Sequence, residues 1–135
     1  MKVLVDENIG KPLIKALSDI LQFHSSKPFF KSLLKYFEEG TLDPHWIKEI
    51  SSDGWIVITA DRGRKSGGNK LPILCKQHRV THILISGKLH NSPQFEKIKA
   101  IINCWDDIVQ ASKTPKGTRF ALRYTSSKSY KLEKR

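Results

Sequence analysis

Cysteine is nearly absent from this sequence. Cys75 and Cys104 stand far apart, no Cys-x-x-Cys pair occurs, and the five histidines are scattered, with a single four-residue step from His78 to His82. The lack of paired cysteines excludes the usual cysteine-based zinc spacings and a disulfide scaffold, and leaves two reduced, part-buried thiols as the expectation. Long apolar runs are missing too. None approaches the roughly 20 residues that cross a bilayer, so no membrane attachment is expected. The amino-terminal apolar run stops at Asp6-Glu7, before a secretory leader's hydrophobic stretch could form, which suggests a cytoplasmic protein. Glycine and proline number only 8 and 6, and 39% of residues are hydrophobic, so global disorder is not expected. At 135 residues the chain forms one domain with a real core.

Acids are the other shortage. Lys plus Arg total 24 against 13 Asp plus Glu, a net charge of +11. Between Arg62 and Cys104 the only acid is Glu96, and beyond residue 110 the only one is Glu133. Such an excess favours a polyphosphate partner through counterion release, over a plain soluble basic face or a dock for an acidic protein.

The pattern alternates strand and helix. Residues 2–5 read as a buried strand, followed by a helix with Leu13, Ile14, Leu17, Ile20 and Leu21 on one face. Residues 24–37 fit either a helix or a short strand. Asp43-Pro44 has the form of an N-cap with proline at the first helical position, and Trp46, Ile47 and Ile50 give that helix a stripe ending at Gly54. Residues 55–60 form a mostly apolar strand, a short helix runs from 71 to about 78, and residues 81–86 form a third strong strand turned at Gly87. Ser92 caps and Pro93 opens one long helix, whose apolar positions run from Phe95 to Val109. Residues 118–124 alternate as an edge strand, completing a domain over 1–124, and 125–135 form a solvated basic tail. Alternation with short links implies an α/β fold with a mostly parallel central sheet.

Against this basic background, the placement of three acids is informative. Asp6 closes the first strand, Asp61 closes the strand at 55–60, and Asp43 begins the helix between them. In a right-handed βαβ arrangement, strand C-termini and helix N-termini share one sheet edge, where open α/β sheets bind ligands. Asp6, Asp43 and Asp61 can therefore converge as hard oxygen ligands for Mg²⁺ or Mn²⁺, with Glu7 in support. Each also has a plainer role: Asp43 as a helix cap, Asp61 as the start of a turn. Asp6 is harder to explain that way, because an unpaired charge at the end of a buried strand is costly. Arg62, Arg64, Lys65 and Lys70 lie on a glycine-rich loop after Asp61, and Lys88 follows the third strand; all five could hold phosphates, or the loop could be an ordinary surface loop. Trp46, Trp55 and Trp105 sit on apolar stripes and read as core. Tyr124 and Tyr130 are the better candidates for base stacking.

The segments 1–8 (Met-Lys-Val-Leu-Val-Asp-Glu-Asn), 40–47 (Gly-Thr-Leu-Asp-Pro-His-Trp-Ile) and 55–62 (Trp-Ile-Val-Ile-Thr-Ala-Asp-Arg) resemble, in order and spacing, the motifs of PIN-like domains. The likeness is nearest to VapC-like toxins with a "DEN" start. It implies a three-layer α/β/α sandwich in which residues 28–34 are a strand. It also implies a Mg²⁺- or Mn²⁺-dependent ribonuclease in which Asp6, Asp43 and Asp61 are catalytic metal ligands with Glu7 beside them. The implied partners are an RNA substrate, single-stranded or looped, an antitoxin protein and a second copy of the chain. Two departures stand out: the family's fourth acid has no counterpart in residues 86–91, where Asn91 is a weak substitute, and His45-Trp46 follow Asp43 where relatives often carry another acid. A binding module without chemistry is therefore the main alternative. A receiver-like phosphoacceptor, built on Asp6-Glu7, Asp61 and Lys88, is a more distant one.

Overall fold

A computed structural model of the chain describes residues 1–5, 9, 11–32, 44–60, 71–126 and 129–135. Its frame is a six-stranded sheet in the order β2-β1-β3-β4-β5-β6. The strands are β1 (Lys2–Val5), β2 (Phe29–Ser32), β3 (Ile56–Thr59), β4 (His82–Ile85), β5 (Arg119–Ser126) and β6 (Ser129–Lys134). Neighbours from β2 through β5 pair in parallel, and β6 pairs antiparallel with β5. The helices are α1 (Lys11–Leu21), α2 (Pro44–Asp53), α3 (Leu71–Gln77), α4 (Gln94–Asn103) and α5 (Trp105–Ser112).

Alternation along the strands divides the core. Val3, Val5, Ile56, Ile58, Ile83, Ile85, Phe120 and Leu122 face one side with Leu17, Leu21, Ile101, Trp105 and Ile108 from α1, α4 and α5. Leu4 and Val57 face the other with Ile47, Ile50, Leu74 and Cys75 from α2 and α3. Both sides of β1 and β3 are thus covered, which is why those strands carry no alternation with polar residues. The result is a three-layer α/β/α sandwich. No helix among the described residues is long and apolar enough to cross a membrane.

Strand β2 settles the ambiguity at residues 24–37 for its own four residues. Lys27 takes a positive φ of 43°, outside the helical range, and the Phe29 N–H bonds the Met1 carbonyl at 2.7 Å. The preceding turn is tied to α5: the Trp105 indole N–H donates to Ser26 Oγ at 3.2 Å, and His24 Nε2 lies 3.1 Å from Asp106. The Trp105 ring also packs on Phe30, at 5.5 Å between centroids. Trp55 and Trp105 are both buried, as their stripes imply. The Trp46 side chain is outside the description.

Several expectations need correction. The long helix over 95–109 is two helices, interrupted at Cys104, whose φ of −96° and ψ of 17° leave the helical range. Phe95, placed on its apolar face, is 68% exposed, and Ile20 of α1 is 55% exposed. Ser92 does not cap α4: Pro93 takes that position, and Ser92 Oγ donates instead to the Lys88 carbonyl at 2.8 Å. Both cysteines are fully buried rather than part-buried. Strand β5 is interior rather than an edge, because Ser129–Lys134 forms β6 where a solvated tail was expected. The physical reason is non-local. Tyr130 and Leu132 sit opposite Tyr124 and Leu122, and all four join the core on the α4–α5 side.

At the sheet's amino edge, close packing replaces polar pairing. Gly117 (φ +89°) lies against Arg79, where an added Cβ would come within 3.0 Å of the Arg79 Cα. That contact joins the turn after α3 to the start of β5. His82 at the start of β4 is fully buried, and neither ring nitrogen has a hydrogen-bond partner among the described residues. Burial, reinforced by Arg119 and Arg135, pushes its pKa down to about 3, so the ring is held neutral. Burial likewise pushes the Cys75 thiol up to about 12, against the opposing pull of Arg119, which makes it inert.

Candidate functional site

The carboxyl edge of the parallel strands is where a ligand site belongs in such a sheet. Strands β1 and β3 are adjacent there, with Val5 directly paired to Ile58. Val5 and Ala60, the residues immediately before Asp6 and Asp61 in sequence, are 0% and 2% exposed. Helix α2 begins at Pro44, one residue after Asp43, and makes the return from the end of β2 to the start of β3. Its first residue therefore lies at the same edge. The described frame fixes the chain on one side of Asp6, Asp43 and Asp61.

The ligands themselves, Asp6, Glu7, Asp43 and Asp61, lie outside the described residues, as do Arg62, Arg64, Lys65 and Lys70. Among the described residues, no three His, Cys, Asp or Glu come together as a cation site. The carboxylates expected from the sequence to hold Mg²⁺ or Mn²⁺, whose hard oxygens suit either ion, therefore lie outside the described residues.

Lys88 is described. It occupies a 3-10 turn, Gly87–Leu89, that leaves β4 at the carboxyl edge. Leu89 is buried and anchors the turn, while Lys88 is exposed. Gly87 has φ +63° with open space where a Cβ would stand, so conformation, not crowding, calls for glycine here. The turn presents a cation beside the strand ends. Asn91, two residues beyond the turn, is also exposed.

Sequence reasoning missed a polar cluster flanking this edge. Tyr124 and Tyr130 stack on one another at 5.2 Å, so they are not open platforms for bases. Both hydroxyls donate to Glu96 Oε2, Tyr130 at 2.6 Å and Tyr124 at 3.2 Å, and Lys99 Nζ lies 3.5 Å from the other oxygen. The Tyr130 hydrogen bond, with Tyr124 and Lys99 in support, holds the Glu96 carboxyl below its ordinary range. Tyr130 itself is pushed up to about 12, first by burial and then by that carboxylate. Glu96 therefore pins α4 to the β5–β6 pair. Only the isolation of this acid among so many cations could have singled it out in the sequence.

A three-layer α/β/α sandwich, with adjacent parallel strands ending just before Asp6 and Asp61, defines a class of α/β protein whose chemistry sits at the carboxyl edge. The family model described as "PIN like domain" matches residues 1–84. The chain belongs to the PIN-like domain family. No curated protein and no solved structure matches the chain significantly. The matched segment contains all three segments that carry the resemblance, and it argues against the receiver-like alternative.

Proposed function

We propose that the chain is a metal-dependent endoribonuclease of PIN-like type, acting as the toxin of a toxin–antitoxin pair. PIN-like membership makes nuclease chemistry the family expectation. The observation that carries it to these residues is the direct pairing of β1 with β3, Val5 on Ile58, just before Asp6 and Asp61. A bound Mg²⁺ or Mn²⁺ would supply Lewis acidity toward the phosphodiester and the attacking water. The chain's own share is to hold that ion with Asp6, Asp43 and Asp61, steady this set with Glu7, and orient RNA. Lys88 and the cations at 62, 64, 65 and 70 would grip the phosphates flanking the scissile bond. Unpaired RNA is the expected substrate, since its splayed bases leave the backbone accessible.

The test is cleavage of a folded RNA with internal loops, in Mn²⁺ and in EDTA. Cleavage confined to unpaired segments and abolished by EDTA is expected; equal cleavage in EDTA refutes metal dependence. Co-purification with the product of an adjacent small reading frame, and loss of cleavage in that complex, would test the toxin assignment. The missing acid in residues 86–91 favours a second reading, an RNA-binding module without chemistry. That reading requires RNA binding with no cleavage in either metal.

A further inference from the structure

Strands β5 and β6 carry opposite chemistry on their two sides. Phe120, Leu122, Tyr124, Tyr130 and Leu132 pack into the core beneath α4 and α5. Alternation places Arg119, Ala121 and Arg123 of β5 on the other side. The antiparallel register sets Glu133 beside Ala121 and Lys131 beside Arg123, and the Arg135 N–H bonds the Arg119 carbonyl at 2.8 Å. This side therefore holds Arg119, Arg123, Lys131 and Arg135 against one carboxylate, Glu133. Ala121 and the Arg119 Nε are buried on this side, Arg123, Lys131 and Arg135 are exposed, and among the described residues the core cluster beneath α2 and α3 contains no residue of β5 or β6.

We infer that the cations of this face form a track for the phosphate backbone of single-stranded RNA, leading to the carboxyl edge. Three observations carry it. First, Arg119 and Arg135 stand opposite one another as like charges, an arrangement that weakens a sheet and that a bound anion would relieve. Arg119 Nε is also buried without a partner among the described residues, beside the unpartnered ring of His82. Second, the face is directional. Arg119 pairs with His82 at the amino edge, whereas Arg123 follows Leu122, whose carbonyl accepts the Ser86 N–H at 3.0 Å where β4 ends. Four residues of β5 span about 13 Å between these arginines. Two residues past Ser86 stands Lys88. Third, the one carboxylate is already committed: Glu133 accepts from Arg123 at 2.9 Å, and Lys131 lies 3.9 Å away. Guanidinium forks match phosphate oxygens bidentately, and a run of them reads charge spacing rather than base identity.

The ligand's identity rests on the ribonuclease reading, but the test does not depend on cleavage. A fluorescent 2′-O-methyl oligouridylate 12-mer is titrated by anisotropy across a salt series in EDTA, which withholds the ion that cleavage requires. In the variant Arg119→Gln/Lys131→Gln/Arg135→Gln, binding should weaken roughly tenfold at low salt. The log–log salt slope should shrink by about 2, or about 0.7 for each cation removed. Glu133→Gln should tighten binding, which a merely structural role for Glu133 would not do. If the triple variant fails to fold, Lys131→Gln/Arg135→Gln, both on exposed side chains, carries the test with an expected slope change of about 1.4. Unchanged affinity and slope in a folded variant overturn the proposal. So does displacement of the RNA by polyglutamate at equal charge concentration, which would identify the face as a dock for an acidic protein.

Discussion

Asparagine in place of Asp6 or Asp61 is expected to cut ribonuclease turnover at least about 100-fold while the thermal unfolding transition stays in place. The exchange keeps the side-chain volume and removes only the charge on which a hard divalent cation depends. Even indirect supporters of a metal site cost about 10–100-fold when lost, so a direct ligand should cost no less. Asp43→Asn is the sharper case. Asparagine caps helix N-termini about as well as aspartate, so α2 should keep its stability. Loss of cleavage without loss of stability would separate ligation from capping, the two roles open to Asp43 in the sequence. Cleavage matching that of the unaltered chain in all three variants would show that these acids serve only as cap, turn and strand end.

The second large effect concerns His82. Its pKa is held near 3 by burial and by Arg119 and Arg135, against an ordinary value of 6.5. Below pH 6.5 the unfolded chain takes up a proton that the folded chain refuses, so protonation favours unfolding. Stability should therefore fall by about 1.4 kcal/mol per pH unit as pH drops from about 6.5 toward 3, and this contribution should be flat above that window. His82→Leu removes together the titrating group and two buried nitrogens that have no partner among the described residues. We expect it to stabilise the chain by about 1 kcal/mol at pH 7.5 and to erase this share of the acid sensitivity. Urea unfolding at pH 7.5, 5.5 and 4.5 measures both. A difference between the two proteins that does not change with pH would show that the ring is not held neutral.

What the sequence revealed followed from how local each signal is. Residues 2–5, 56–59 and 82–85 are strands buried on both sides, and an uninterrupted apolar run between turn signals announces them. Pro44 opening α2 and Gly54, at φ +72° after its last residue, are local signals and also read correctly. Strand β6 did not. Its residues 130–133 alternate Tyr-Lys-Leu-Glu over too short a stretch, amid cations, to announce a strand, and its stability comes from pairing with β5. The break at Cys104 carries no proline or glycine to announce it. The tyrosines taken for stacking platforms are turned inward by an acid more than 25 residues away in sequence, a partnership no local pattern contains. His82 was invisible for the same reason: a histidine within an apolar strand looks alike whether partnered or orphaned. The candidate acids were picked out by topology, because a strand end in a parallel sheet names its own edge; their side chains lie outside the described residues.

Calorimetric titration of Mn²⁺ tests the central claim most directly. A chain with a net charge of +11 repels cations as a whole, so saturable binding must come from a local cluster of carboxylates. The account predicts saturable binding to the unaltered chain and none to a folded Asp6→Asn/Asp61→Asn variant. No binding to the unaltered chain, or equal binding to both, would contradict it.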